Sequence, residues 1–190
     1  MKVLGIMGSP KLNGNSSTLL KAMLEGAKAN GADTYTLSLN NLDIKGCINC
    51  DACKTTGRCV IKDDMQDIYD RINDADAVIF SSPNYMGGIN GKLKCVIDRL
   101  YAYMKEGLEK SFEKEKKVVL IVTQNAPEDT PSCYEAFNHL RYVLNITFEG
   151  NYEVPCQFLL GGKLFTHDSA ASNDRLMSKA YEMGELLVKN

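Results

Sequence analysis

The chain has no tryptophan and only two histidines, His139 and His167, among its 190 residues. The two are far apart in sequence and lack a neighbouring Ser/Asp or Cys partner pattern, which speaks against a hydrolase triad. No apolar stretch approaches the ~20 residues that span a bilayer. Met1-Lys2 leads straight into Val3–Met7, too short for a signal peptide and without a cleavage site. There is no long Lys/Arg run, and the net charge is only −2, so a nucleic-acid surface is not expected. No internal repeat, low-complexity tract or Pro/Gly-rich linker marks a boundary. The expectation is therefore one domain over residues 1–190, large enough to bury a core and resident in a reducing cytoplasm.

Cysteine is what the chain does have, seven in all. Four fall within thirteen residues as Cys47-x2-Cys50-x2-Cys53-x5-Cys59, and the others are scattered at 95, 133 and 156. Thiolates this dense point to a shared ligand. Triples at x2 spacing resemble iron–sulfur ligation, whereas structural zinc usually takes two separated Cys-x2-Cys knuckles or a distant His pair. Reduced cysteines or a redox disulfide are the plainer alternative, although a disulfide framework is not expected in a reducing compartment. Residues 46–61 offer few apolar anchors beyond Ile48, Val60 and Ile61, so ligation would have to supply most of their order. Cys95 reads as a small buried apolar residue on its helix.

Hydrophobic periodicity alternates between short β runs and amphipathic helices. Strands are expected at Val3–Met7, Tyr35–Leu39, Ala77–Phe80, Val118–Val122 and Thr147–Val154. Helices are expected from Ser17, from Asp63-Asp64, around Leu93–Met104, over 132–144 and over 172–188. Glu113–Lys117 reads as a solvated edge. Strands apolar throughout and separated by helices imply a parallel sheet covered on both faces. The fold class is a doubly wound, five-stranded α/β domain with a cysteine-rich insertion at about 46–61.

In such sheets ligands bind beyond the carboxyl ends of the strands. Three loops there are unusual. Gly8-Ser9-Pro10-Lys11-Leu12-Asn13-Gly14-Asn15-Ser16-Ser17-Thr18 opens a helix with hydroxyls and one Lys, which suits a phosphate. It is neither the dinucleotide fingerprint nor a P-loop, so a terminal monophosphate fits better than a pyrophosphate. An N-cap by Ser16 or Ser17 is the structural alternative. Ser81–Gly88 sets an aromatic among small residues, which suits a flat ring. Thr123-Gln124-Asn125-Ala126-Pro127 offers amides, and each of these loops taken alone could be a turn.

Gly-Ser-Pro-x-x-x-Gly-Asn-Ser at 8–16, Pro-Asn-Tyr-Met-Gly at 83–87 and Gly-Lys-Leu-Lys at 91–94 resemble the NADPH-dependent FMN reductase family, which has the flavodoxin-like fold. The cysteine loop followed by Lys62-Asp63-Asp64-Met65 narrows the resemblance to its iron–sulfur flavoprotein branch. The resemblance implies that Ser9, Lys11, Asn15, Ser16 and Ser17 hold the FMN phosphate. Pro83, Asn84, Tyr85, Met86 and Gly87 would line the isoalloxazine, with Asn125 at its far edge. Cys47, Cys50, Cys53 and Cys59 would ligate a [4Fe–4S] cluster. Members often carry Arg where this chain has Lys11, which keeps the charge but weakens a bidentate grip, and a bulky aromatic where it has Met86. Relatives with similar loops include proteins without a cluster.

The expected function is electron transfer between FMN and the cluster, with NAD(P)H as a donor and a small molecule or ferredoxin-like protein as redox partner. No side chain is required as a general acid or base. The rivals are an NAD(P)H-dependent FMN or quinone reductase without a cluster, and a redox- or zinc-responsive interaction protein. A homodimer or homotetramer is implied by the resemblance, and neither nucleic acid nor membrane is expected as a partner.

Overall fold

A computed structural model of the chain describes residues 1–104, 112, 115–150 and 155–189. The elements run β1 (Lys2–Met7), α1 (Asn15–Ala29), β2 (Asp33–Ser38), α2 (Ala52–Thr56), α3 (Met65–Asp74), β3 (Ala77–Tyr85), β4 (Gly88–Ile89) and α4 (Gly91–Arg99). After a 3₁₀ turn at Leu100–Tyr103 come β5 (Lys117–Thr123), α5 (Pro131–Glu149), β6 (Gln157–Gly161) and α6 (Asp174–Lys189). Five strands form one parallel sheet in the order β2-β1-β3-β5-β6, and the two-residue β4 folds back on β3. This is the flavodoxin-like order, with the reversal of winding between β1 and β3.

Alternation along the strands divides the core between the two faces of the sheet. Val3, Ala77, Ile79, Val119 and Ile121 face α1 and α6, while Leu4, Ile6, Val78, Phe80, Leu120 and Val122 face α3, α4 and α5. The register sets Leu4 opposite Val78 and Val78 opposite Val118, so each layer is continuous across the sheet. Helices α1 and α6 meet backbone to backbone. A Cβ on Gly184 would stand 1.9 Å from the Met23 carbonyl oxygen, and one on Gly26 would stand 2.0 Å from that of Tyr181. Among the described residues no helix is long and apolar enough to cross a membrane.

Several expectations need correction. The strand expected at Thr147–Val154 does not begin at Thr147. Thr147–Glu149 form the last turn of α5, because Phe137, Leu144 and Phe148 keep one helical face in the core. The Thr147 hydroxyl donates to the Val143 carbonyl at 2.8 Å, and Gly150 ends the helix in a left-handed conformation (φ 68°). Residues 151–154 lie outside the described residues, and the last strand is Gln157–Gly161. Strand β3 also runs on through Ser81–Tyr85 rather than breaking at Ser81. Lys116 is not solvated: it is buried, and its Nζ donates to the carbonyls of Asn73 (2.9 Å) and Ala75 (2.5 Å) at the end of α3. Glu113 and Lys114 lie outside the described residues. Cys95 is only partly buried, whereas Cys156 is fully enclosed and its thiol is pushed up to about 12 by burial. The Cys133 side chain lies outside the described residues.

Candidate functional site

The loop after β1 is wound around one carbonyl. The Lys11 oxygen accepts from the Ser9 hydroxyl (3.1 Å), the Gly14 N–H (3.0 Å) and the Ser17 hydroxyl (3.0 Å). The Lys11 N–H in turn donates to the Ser9 Oγ at 3.1 Å. The first backbone bond of α1 runs from the Thr18 N–H to the Gly14 carbonyl, so the amides of Asn15, Ser16 and Ser17 lie at the open helix start. The N-cap is Gly14, and no side chain among the described residues caps it. The alternative of a Ser16 or Ser17 cap therefore fails, and the amides are oriented for an anion.

This helix start opens into a cavity of about 440 Å³ formed by four strand-end loops. That volume lies within the range of small-molecule sites. Of the residues expected in the phosphate loop, Ser9, Lys11, Asn15 and Ser16 line it, and Ser17 does not. Ser17 is fully buried and spends its hydroxyl on the loop. The Asn15 side chain is also committed, donating to the Thr166 carbonyl (2.7 Å) and accepting from the Ala170 N–H (2.9 Å). That leaves Ser16, the backbone amides and Lys11 to meet a phosphate.

Pro83, Asn84, Tyr85, Met86 and Gly87 line the opposite wall, and Asn125 lines it with Thr123, Gln124 and Ala126. Met86 and Gly87 are the two central residues of the β3–β4 hairpin, both with positive φ (51° and 80°). That is the backbone of a type I′ turn, unusual for Met. The turn holds the Met86 side chain entirely in the open, beside the half-exposed Tyr85.

Two carboxamides fix the polarity of this wall. The Pro127 carbonyl can only accept, and Gln124 Nε2 donates to it at 3.0 Å. Gln124 Oε1 therefore accepts from Asn84 Nδ2, also at 3.0 Å. Asn84 Oδ1 is then the acceptor left over, buried and without a partner among the described residues. An orphaned buried acceptor in a cavity wall fits a ligand that carries an N–H donor.

Leu164, Phe165, Thr166 and His167 complete the cavity. The sequence reading missed them because the last strand was expected some ten residues early, so the loop after β6 went unread. Its signal was Phe165 and His167 following the Gly161-Gly162 end of a strand.

The cysteine segment leaves the carboxyl end of β2, next to β1. Cys47 and Cys50 are exposed, while Cys53 and Cys59 are partly buried against the core. All four line one small cavity of about 20 Å³ with Ile48, Val60 and Tyr101. Burial pushes the Cys53 thiol up, Lys54 beside it opposes, and Cys59 and Cys47 add to the rise. Among the described residues no three Cys, His, Asp or Glu side chains are placed to hold a single metal ion. A cubane spreads its thiolates over separate iron atoms and so accepts a wider arrangement than a lone ion does.

Polar bonds tie this segment to its neighbours. Lys54 Nζ donates to the Tyr101 carbonyl (3.0 Å) and the Met104 carbonyl, 3.3 Å from the centre of the Tyr101 ring. Gln66 Nε2 donates to the carbonyls of Cys59 (2.9 Å) and Ile61 (2.6 Å), and Arg58 binds Gln66 and Asp70. Asp63 stands just before α3. It is buried against Arg99, and although burial pulls its carboxyl up, the Arg99 bond and the Lys45 and Met65 amides hold it below the usual carboxylate range.

The comparisons agree with this architecture. The family model described as NADPH-dependent FMN reductase matches residues 1–159. An iron-sulfur flavoprotein of Methanocaldococcus jannaschii is 39% identical over 99 residues, covering 52% of this chain and 51% of that protein. Another, from Methanosarcina thermophila, is 40% identical over 99 residues, covering 52% of each chain. This chain thus spans about half the length of the curated relatives it matches. The solved NAD(P)H:quinone oxidoreductase from Methanothermobacter marburgensis superposes with a TM-score of 0.74 at 19% identity, covering 98% of this chain and 96% of that one, and shares the fold. An uncapped helix start and an acceptor-lined wall, set at the switch point of this sheet, sit within the matched region, and the chain belongs to the NADPH-dependent FMN reductase family.

Proposed function

We propose that this protein is a flavin-dependent oxidoreductase that binds FMN in the cavity between β1, β3, β5 and β6 and exchanges electrons between it and a [4Fe–4S] cluster on Cys47, Cys50, Cys53 and Cys59. Two observations carry the reading: a cavity at the strand ends lined by an open helix start and an unpartnered buried acceptor, and, on the segment that follows β2, four thiols lining one hollow. The helix start and Ser16 take the phosphate, and Asn84 Oδ1 accepts an N–H of the ring. FMN takes up electrons in pairs, as hydride, and releases them singly, while a cluster carries one at a time. The protein's part is to bind, orient and shield the two groups. Reducing equivalents come from NAD(P)H or a ferredoxin-like protein and leave to a small molecule or protein acceptor. The assembly is a homodimer or homotetramer in the cytoplasm.

The plainer reading, a flavin reductase without a cluster, needs only the cavity at the strand ends and no ligand set among the cysteines. Anaerobic purification with iron, sulfide and flavin analysis separates the two. Flavin bands with broad sulfide–iron absorption and stoichiometric iron support the cluster, and that iron should be lost in Cys50→Ala but kept in Cys95→Ala. Flavin without iron leaves the plain reductase, and a colourless protein overturns both.

A further inference from the structure

Arg99 ends α4, and its guanidinium is wholly enclosed together with the Asp63 carboxylate that it meets at 2.5 Å. The fork reaches both ends of the cysteine segment. Nη1 donates to the Lys45 carbonyl (3.3 Å), two residues before Cys47, and Nη2 donates to the Ile61 carbonyl (3.4 Å), two residues after Cys59. Asp63 closes the same ring by accepting from the amides of Lys45 (2.9 Å) and Met65 (3.2 Å). One donor remains. The Nε–H is buried and has no hydrogen-bond partner among the described residues, which is an expensive arrangement for a charged group. The Cys59 thiol lies within electrostatic reach of this guanidinium.

We propose that Arg99 is a positioning residue of the cysteine site: its Nη groups fix the two ends of the loop, and its Nε–H and charge are held for the sulfur of a bound cluster. The inference rests on the cluster reading above. A lysine could supply the charge but not a planar fork that spans two carbonyls and a carboxylate while keeping a further donor. The physical consequence is directional. Adding an electron to a thiolate-held cluster makes it more negative, and an N–H donor to its sulfur stabilises that state and raises the potential; the guanidinium's charge adds less, because the Asp63 carboxylate offsets it. A merely structural ion pair, replaced by neutral groups, would leave the potential where it was.

The test uses the full chain reconstituted anaerobically with FMN, iron and sulfide. Three forms are compared: wild type, Arg99→Lys, and the double variant Arg99→Met with Asp63→Asn, which leaves no lone buried charge. FMN per chain reports the fold, metal analysis reports loading, and EPR-monitored redox titration reports the cluster potential. In the double variant, FMN should stay near wild type while the cluster's reduction equilibrium moves at least tenfold against the reduced state, about 59 mV for a one-electron couple. Arg99→Lys should fall between, since the charge returns without the Nε–H. Wild-type iron and wild-type potential in the double variant would overturn the proposal. Should that variant fail to hold FMN, Arg99→Lys decides: a lowered potential or iron content with FMN retained supports the role, and wild-type values for both refute it. Wild-type protein that takes up no iron sinks the cluster reading itself, a result distinct from iron-loaded protein indifferent to Arg99.

Discussion

Ser16 and Ser17 are adjacent and chemically identical, yet the structure gives them different work, and replacing each with Ala should separate the two roles. Ser16 is buried, lines the cavity, and stands at the helix start where a phosphate would sit. A hydrogen bond to a charged acceptor contributes about 1.5–3 kcal/mol. At about 1.4 kcal/mol per tenfold, Ser16→Ala should weaken FMN by roughly ten- to a hundredfold. Riboflavin, which lacks the phosphate, should lose no more than about twofold, since only the charged contact is removed. Ser17→Ala strips one of three donors from the Lys11 carbonyl, with Ser9 Oγ and the Gly14 N–H still in place. It should lower stability by about 1 kcal/mol and shift FMN less than Ser16→Ala does. Calorimetric titration of both ligands against flavin-free wild type and the two variants gives the six constants. Equal losses for FMN and riboflavin in Ser16→Ala would put the phosphate elsewhere, and a larger FMN effect from Ser17 than from Ser16 would refute the division of labour.

Gln124→Leu should release the Asn84 carboxamide, because it removes both bonds that set its orientation; with about 1–3 kcal/mol at stake, FMN and riboflavin should weaken alike, and unchanged affinity for both would show that the orientation does not matter. Gly184→Ala drives a methyl against the Met23 carbonyl at 1.9 Å; overpacking of about 1–3 kcal/mol, at about 2–4 °C per kcal/mol for a chain of this length, should lower Tm by several degrees while the FMN-bound spectrum stays the same. The depressed Asp63 carboxyl sets a pH dependence. Because its folded pKa lies below the unfolded one, its stabilisation is fully present above about pH 4 and is lost as pH falls through the lowered folded value. Urea midpoints measured from pH 7 down to 3 should therefore fall less steeply in Asp63→Asn, from a lower starting value, and parallel slopes would exclude Asp63 as a contributor.

What local pattern determined, the structure repeats. Continuous apolar runs such as Ala77–Phe80 and Val118–Val122 can bury both faces only in a covered parallel sheet, and they are its central strands. The spacing of Cys47, Cys50, Cys53 and Cys59 kept the thiols around one hollow, since residues so close along the chain have little freedom to part. Where local pattern failed, long-range packing decided. Ile146-Thr147-Phe148 has the side chains of a strand, but α5 runs through it because Phe148 completes a helical face that began at Phe137. That single shift concealed the loop carrying Phe165 and His167. Charge was the other blind spot. Lys116, Asp63 and Arg99 look like surface residues in a string of letters, and each is buried because a carbonyl or an opposite charge from a distant segment meets it. The sequence by itself determined the alternation of strands and helices and the spacing of the four cysteines. Only the tertiary structure decided which of two neighbouring serines faces the cavity, which way the Asn84 amide points, and where Arg99 keeps its unpaired donor, because each depends on partners that lie tens of residues away along the chain.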